Sequence, residues 1–338
     1  MSDPPVRWDE RLRRFVVTGH RAVVAVLQDP AAYSSRVAPQ VPAGDRELLA
    51  GFTQWSARWL FFLDPPEHTA RRAPVAKSLA PRALPPVEHH ATELAAQLPT
   101  AFDAVADFAH PLAARVIAEV LGDTGAGFFA RARAMERASA DARDPAARRA
   151  GLEAIAAAVT ALRSTVDDVT GAHSLMLMFA GIETTQNLIA NTLHALLTHP
   201  GTWDSALPAA VEEGARYAPP VRGVLRRTTR AVVLAGVAIP AGAELVALTA
   251  AANRDPAVFT HPDRFDPARR PNRHLTFGLG RHYCPGAELT RRTTVAALAA
   301  LRARHPGLRL TGPAPRWRDH DPLVHAPVSL PVTGAGQG

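Results

Sequence analysis

The chain has 338 residues, room for one large domain or two ordinary ones. It carries 38 Lys+Arg against 31 Asp+Glu, net charge +7, with 47% hydrophobic and 20% charged residues. That balance excludes a disordered chain, and the single cysteine, Cys284, excludes an intrachain disulfide or a zinc site built on several thiolates.

The residues after Met1 contain no apolar signal-like run. The longest uncharged apolar stretch, Ala172 to Ile182, is about half of the roughly 20 residues a membrane span needs, and it stops at Glu183. A soluble, cytoplasmic protein is expected. Its basic excess is nearly all arginine, Lys77 being the only lysine, and no basic run exceeds Arg-Arg. Spread in this way, the charge fits a composition bias or an acidic protein partner better than a nucleic acid.

In chain order, Phe15, Val16 and Val17 read as a strand ending at Gly19, and Arg21 to Gln28 as a short helix stopped by Asp29-Pro30. Residues 36–63 read as irregular, with exposed aromatics Phe52, Trp55, Trp59, Phe61 and Phe62. Helical pattern runs from Pro66 to about Asp168, punctuated by Pro81, Pro85, Pro99, Pro111 and Pro145 and by the turn from Gly122 to Gly127. A strongly apolar helix is predicted over about Ser174 to Leu197 and another over Leu207 to Tyr217. Strand signals follow at Val221 to Leu225, Val232 to Leu234, Val237 to Ile239 and Leu245 to Leu248, with turns at Gly236 and Pro240-Ala-Gly242. Residues 253–283 read mostly as loop, and a loop this long in a compact domain is usually functional. A last helix, Pro285 to Arg304, a strand pair near Pro322 to Val332 and a frayed tail from Thr333 complete the pattern. The fold class is mainly α with a minor β part, in one domain over 1–338.

The segment from His274 to Leu289 carries the chemistry. A lone cysteine is usually a small buried hydrophobe. Here Gly278, Gly280 and Gly286 bracket Cys284, so the backbone can bend tightly against a ligand. A helix starting just after the cysteine would favour its thiolate. Phe277, seven residues ahead, could fold over the same ligand. Phe-x-x-Gly-x-x-x-Cys-x-Gly, filled by Phe277, Gly280, Cys284 and Gly286, resembles the haem-ligand signature of cytochromes P450.

Three further segments, in the family's order, strengthen the resemblance. Ala180-Gly181-Ile182-Glu183-Thr184-Thr185 is similar to the oxygen-activation motif of the central helix in that family. An acid beside an alcohol can relay protons, and a Thr hydroxyl bonding back to a carbonyl can open the turn. Glu213-Gly-Ala-Arg216 resembles the Glu-x-x-Arg helix, with Arg264 as the matching third member of a structural triad that is all-or-none once buried. Leu63 to Arg72 resembles the start of the helix that gives a His and an Arg to the haem propionates. His68 and Arg72 lie i, i+4 on one face, as a two-pronged anion contact requires. His282 and Arg226 match the other propionate donors, with Arg227 the alternative to Arg226.

The resemblance spans nearly the whole chain and implies a cytochrome P450 fold, a triangular prism. The chain is short for a bacterial member: the family's first helix is missing, and Leu162 to Ser174 leads almost directly into the central helix, as if a helix and loop were deleted. A distal side truncated in this way would leave the pocket more open. The resemblance implies haem b held by Cys284, with Ala180, Gly181, Phe277, Gly278, His282 and Gly286 lining the cofactor and Glu183 and Thr184 catalytic. Met176, Phe179, Arg222, Val224, Leu323 and Val324 would face the substrate. The implied activity is insertion of one oxygen atom into a small, hydrophobic or aromatic substrate of secondary metabolism. Alternatives are oxidative coupling of phenols or aromatic rings without oxygen insertion, and a non-catalytic P450-like helper. With no flavin or iron–sulfur motif, electrons would come from ferredoxin and ferredoxin reductase, the acidic ferredoxin docking near Arg281, Arg291 and Arg292. A monomer acting on a small molecule, with no nucleic acid and no membrane, is expected.

Overall fold

The computed structural model describes residues 4–37, 41, 43–140, 144–312, 314–318 and 321–334. Most of the expected frayed tail, from residue 335 onward, lies outside them. Strands β1 (Val6–Asp9) and β2 (Arg14–Val17) precede helix α1 (His20–Gln28) and β3 (Tyr33–Ser34). The helical middle runs through α2 (Ala50–Ser56), α3 (Glu67–Ser78), α4 (Val87–Ala96), strand β4 (Ala101–Asp103), α5 (His110–Leu121), α6 (Ala126–Ala140), α7 (Pro145–Arg163), α8 (Asp168–Leu177), α9 (Glu183–Thr198) and α10 (Leu207–Tyr217). Then come β5 (Val224–Thr228), the hairpin β6 (Val232–Leu234) and β7 (Val237–Ile239), β8 (Glu244–Ala247), α11 (Thr249–Ala252), α12 (Ala287–Arg304), β9 (Arg309–Leu310) and β10 (Pro331–Thr333).

Local chemistry explains the helix limits. Pro145 opens α7 behind an Asp144 cap, and Gly122 closes α5 in the left-handed region at φ 68°. The central helix starts six residues earlier than the apolar run suggests, because Asp167 accepts the amides of Val169 (2.8 Å) and Thr170 (3.1 Å). It then runs unbroken through α8, a widened π-helical stretch over Met178–Ile182, and α9.

The five-stranded sheet has the order β1-β2-β8-β5-β3, with β2 and β8 parallel and the other neighbours antiparallel. Its apolar face packs on α1, where Val23, Val26 and Leu245 are buried. The larger core lies among α4, α5, α9 and α12, around Phe108, Leu112, Leu193 and Leu298. The expected strand pair within the tail does not form: β10 pairs instead with β4 and β9, and Val324 makes a single bridge to Val221.

Residues 43–63, expected to be irregular, carry helix α2 and short helical turns, and two of their aromatics are buried. Trp55 and Trp59 are 0% and 2% exposed. Each indole N–H donates to the first turns of the central helix, Trp55 to Asp168 Oδ1 at 2.9 Å and Trp59 to the Ala172 carbonyl at 3.0 Å. A Cβ on Gly171 would lie 2.3 Å from the Trp55 ring, so this close approach needs glycine. The two indoles thus pin the aromatic segment to α8, and burying two Trp side chains is a large apolar gain. Among the described residues no helix is long and apolar enough to cross a membrane.

Candidate functional site

The cysteine loop turns on Gly278 and Gly280, both in the left-handed region at φ 72° and 70°. A Cβ on Gly280 would come within 3.1 Å of the Leu27 carbonyl oxygen. This geometry brings the Cys284 amide to the Phe277 carbonyl at 2.8 Å, so the two ends of the loop close on each other. Cys284 is half-buried and lies three residues before the start of α12. Burial raises its thiol pKa, while the Gly286 amide and the charges of Arg72 and Arg291 act the other way.

His68 and Arg72, one turn apart on α3, meet His282 and Arg226 beside this loop. The His68 and His282 rings are 4.2 Å apart. Arg72 Nη2 donates to the Tyr283 carbonyl at 2.7 Å, and His282 Nε2 lies 3.0 Å from Ser35 Oγ. Arg226 is 6% exposed, and Nη1 donates to its neighbour's carbonyl, that of Leu225, at 2.7 Å. Burial lowers its pKa to about 10, with Asp64 opposing. Burial, with Arg226 and His68 nearby, likewise pushes His282 down to about 3. Arg227, by contrast, is on the exposed side of β5 and pairs with Glu244 at 2.6 Å, which selects Arg226 as the inward cation. His68 is 2% exposed, yet its Nε2 has no hydrogen-bond partner among the described residues. A buried guanidinium and an orphaned imidazole nitrogen, costly without a partner, fit a group that brings two carboxylates, as haem does.

On the central helix, Thr184 Oγ1 donates to the Ala180 carbonyl at 2.6 Å, within the π-helical stretch. Gly181 packs there against Ile117 of α5. Glu183 is not a lone acid. The guanidinium of Arg318, whose side chain is 1% exposed, bonds its carboxylate. Arg318 was invisible to motif reasoning, because it lies in an irregular segment more than 130 residues away.

The Glu/Arg triad forms with a different third member. Glu213 and Arg216, both 0% exposed, make a two-pronged pair at 2.7 and 2.8 Å. The second cation on Glu213 is Arg269, whose Nε donates to Oε1 at 3.2 Å. Arg264 supplies its main-chain carbonyl to Arg216 at 2.9 Å, and its residue is exposed. The Asp266 amide also donates to Glu213, so the chain must turn past Arg264 before the next arginine comes round.

Of the expected substrate residues, Val224 follows the Val221–Val324 bridge closely, and the Arg222 amide donates to the Leu323 carbonyl at 2.8 Å, which brings these segments together. The Arg222 side chain is occupied: Nη2 donates to His325 Nδ1 at 2.7 Å, and the His325 ring lies flat on Trp317 at 4.4 Å. Met176 is buried with its sulfur 3.5 Å from the Leu60 amide. Phe179 is 40% exposed and rests on Trp59 at 5.4 Å. The expected docking arginines differ among themselves. Arg291 binds Glu212 and Arg292 binds Glu88 in two-pronged pairs, whereas Arg281 has no carboxylate partner among the described residues.

The cytochrome P450 family profile matches residues 205–301, from just before α10 to the last turn of α12. Erythromycin C-12 hydroxylase of Saccharopolyspora erythraea is 31% identical over 367 aligned positions, covering 96% of this chain and 90% of the relative. That alignment is longer than the chain itself, so the relative carries residues with no counterpart here. Nocardicin C N-oxygenase of Nocardia uniformis is 32% identical over 94% of this chain and 89% of its own. Among solved structures, the P450 enzyme CYP109B1 of Bacillus subtilis superposes with a TM-score of 0.80 at 28% identity, over 98% of this chain and 96% of that one. Similarity of this extent, over nearly the whole chain and with the family profile taking in the cysteine loop, settles the family: the chain is a bacterial-type cytochrome P450, a haem-dependent monooxygenase.

Proposed function

We propose that this enzyme inserts one atom of O2 into a small hydrophobic or aromatic substrate of secondary metabolism. The observation that carries this is the acid and alcohol pair, Glu183 and Thr184, which opens α9 directly after the π-helical stretch, with Thr184 bonded back to Ala180 within that stretch. Haem b, when bound, supplies dioxygen activation at an iron whose thiolate ligand is Cys284. Arg72, Arg226, His68 and His282 hold its two carboxylates. Thr184 commits its own proton to the Ala180 carbonyl, so its Oγ1 lone pairs face outward to accept a hydrogen bond from a bound group. Glu183, bonded by Arg318 and 22% exposed at its side chain, takes up protons from water and passes them toward that hydroxyl. Phe179 and Phe61, 40% and 37% exposed, present aromatic surface beside Trp59 and support a planar, apolar substrate.

Two measurements test this reading. The reduced protein with carbon monoxide should show a thiolate-type Soret band, and the product should be heavier by one oxygen. A product lighter by two hydrogens would mean oxidative coupling instead. Thr184→Ala should keep substrate binding within about twofold while diverting most of the consumed reductant away from product, a loss of roughly tenfold or more in coupling. Coupling at the wild-type level would remove Thr184 from the proton path.

Electrons come from a ferredoxin served by its reductase, docking on a basic face that includes Arg281, with the protein acting as a cytoplasmic monomer. Screening shortens from about 10 Å at 0.1 M salt to about 3 Å at 1 M. The reduction rate should therefore fall at least about fivefold across that range. A flat profile would exclude an electrostatic docking face.

A further inference from the structure

Helix α10 carries two consecutive acids, and the triad uses only Glu213. Glu212 has a separate set of partners. Arg291 of α12 donates to it through Nε at 2.6 Å and Nη2 at 3.2 Å, and His274 Nε2 lies 3.1 Å away. Burial alone would raise the Glu212 carboxyl, but the bonds from His274 and Arg291 hold it down to about 2. The same guanidinium lies 4.3 Å over the Phe277 ring, and Nη1 is 3.0 Å from the Tyr283 hydroxyl. Phe277 accepts the Cys284 amide, and Tyr283 immediately precedes the cysteine. Arg291 therefore touches both ends of the cysteine loop. It is also one of the few charges that act on the Cys284 sulfur.

We propose that Arg291, anchored by Glu212, is a positioning residue for the axial thiolate: it clamps the loop between Phe277 and Tyr283 and sets the one-electron reduction potential of the bound iron. The inference rests on Cys284 being the axial ligand. Reduction adds a negative charge to the site, so a nearby cation favours the reduced form and a nearby carboxylate opposes it. Arg291 and Glu212 therefore pull in opposite directions. Cation–π stacking holds the guanidinium against Phe277, and the Glu212 fork fixes its orientation. This use of Arg291 also separates it from the electron-donor surface.

The test uses the haem-loaded full-length enzyme and three variants, Glu212→Gln, Arg291→Met and Arg291→Lys. Redox titration gives the potential of each, and warming the reduced carbon monoxide complex gives the half-time of its thiolate-type band. Glu212→Gln should raise the reduced-to-oxidised ratio at a fixed poise and Arg291→Met should lower it, each by up to about tenfold, equivalent to about 59 mV for one electron. Arg291→Lys keeps the charge but loses the fork and the stacked plane. Its potential should stay within about twofold of wild type in that ratio, while its thiolate band decays several times faster. Shifts of the same sign in Glu212→Gln and Arg291→Met would reveal mere loosening of the loop and overturn the proposal. So would a ratio unchanged within twofold in both. If Arg291→Met yields no loaded protein, the Glu212→Gln shift and the Arg291→Lys half-time still decide. A wild-type protein that binds haem without a thiolate-type band would overturn the Cys284 assignment itself, a failure visible before any variant is compared.

Discussion

Glu213→Gln should yield little or no folded protein. The substitution keeps the shape of the side chain but removes the one carboxylate that faces two arginines in a region with no solvent. Arg216 would remain 0% exposed with its charge uncompensated, while still bonded to the carbonyls of Asn253, Pro262 and Arg264. Breaking a buried ion pair by removing one partner costs about 3–5 kcal/mol, against a total stability of roughly 5–15 kcal/mol for a domain. Urea denaturation should show the loss as a collapse of the midpoint, or expression should yield only insoluble chain. A midpoint within about 1 kcal/mol of wild type would show that the triad is not the keystone of this region. The same measurement separates the two candidate third members. Arg269→Ala, which removes a cation 9% exposed at its side chain, should destabilise clearly. Arg264→Ala should be nearly neutral, because that residue contributes through its main chain.

Cys284→Ala should fold and yet lose all monooxygenase activity. Deleting one partly buried sulfur costs roughly 1 kcal/mol, the scale of one buried methylene. The loop geometry depends instead on the glycines, the Phe277 carbonyl and the Arg291 clamp. With Cys284 proposed to hold the iron, its removal would take away the electron donation that a thiolate supplies for oxygen cleavage. Turnover should fall to background, and the reduced carbon monoxide complex should lose its thiolate-type band while the melting temperature moves by only a few degrees. A thiolate-type spectrum in the variant would mean that a different residue holds the iron.

How legible these features were in the sequence followed from how local their physics is. The cysteine loop, the Glu213–Arg216 spacing and the His68–Arg72 pair are set by short-range geometry: two left-handed glycines, one helical turn, one helical turn. The structure shows a closed loop, a buried ion pair and a shared helix face at these three places, and it identifies the carbonyl to which Thr184 bonds back as that of Ala180. The third triad member was misplaced because spacing cannot show which of two arginines five residues apart turns inward. Only the turn that brings the Asp266 amide onto Glu213 decides it. Trp55 and Trp59 looked exposed because helix α2 and the single 3-10 turn after it are too short to display a period, while their partners Asp168 and Ala172 lie 113 residues away. The early start of the central helix is signalled by Asp167, a cap that lies outside the apolar run. Arg318 and the Glu212–Arg291 clamp depend on tertiary proximity, for which a single sequence offers no signal.

The widened stretch over Met178–Ile182 also bears on the helix as a measured length of chain. Each residue of a regular helix advances the side chains by about 100°. A π-helical stretch absorbs one residue more than a regular turn would hold in the same rise. A chain one residue shorter here could close into ordinary α geometry with Glu183 and Thr184 kept where they are relative to α8, whereas the same deletion from a regular turn would rotate them by about 100°. The tryptophan anchors on Asp168 and Ala172 fix α8, and the packing of Gln186 on His110 and Thr185 near Thr290 fixes α9. The interval between Leu177 and Glu183 thus holds one residue of slack: a single-residue deletion within it costs the widening and leaves the acid and the alcohol pointing as before, whereas the same deletion in the regular helix of α8 would turn them away.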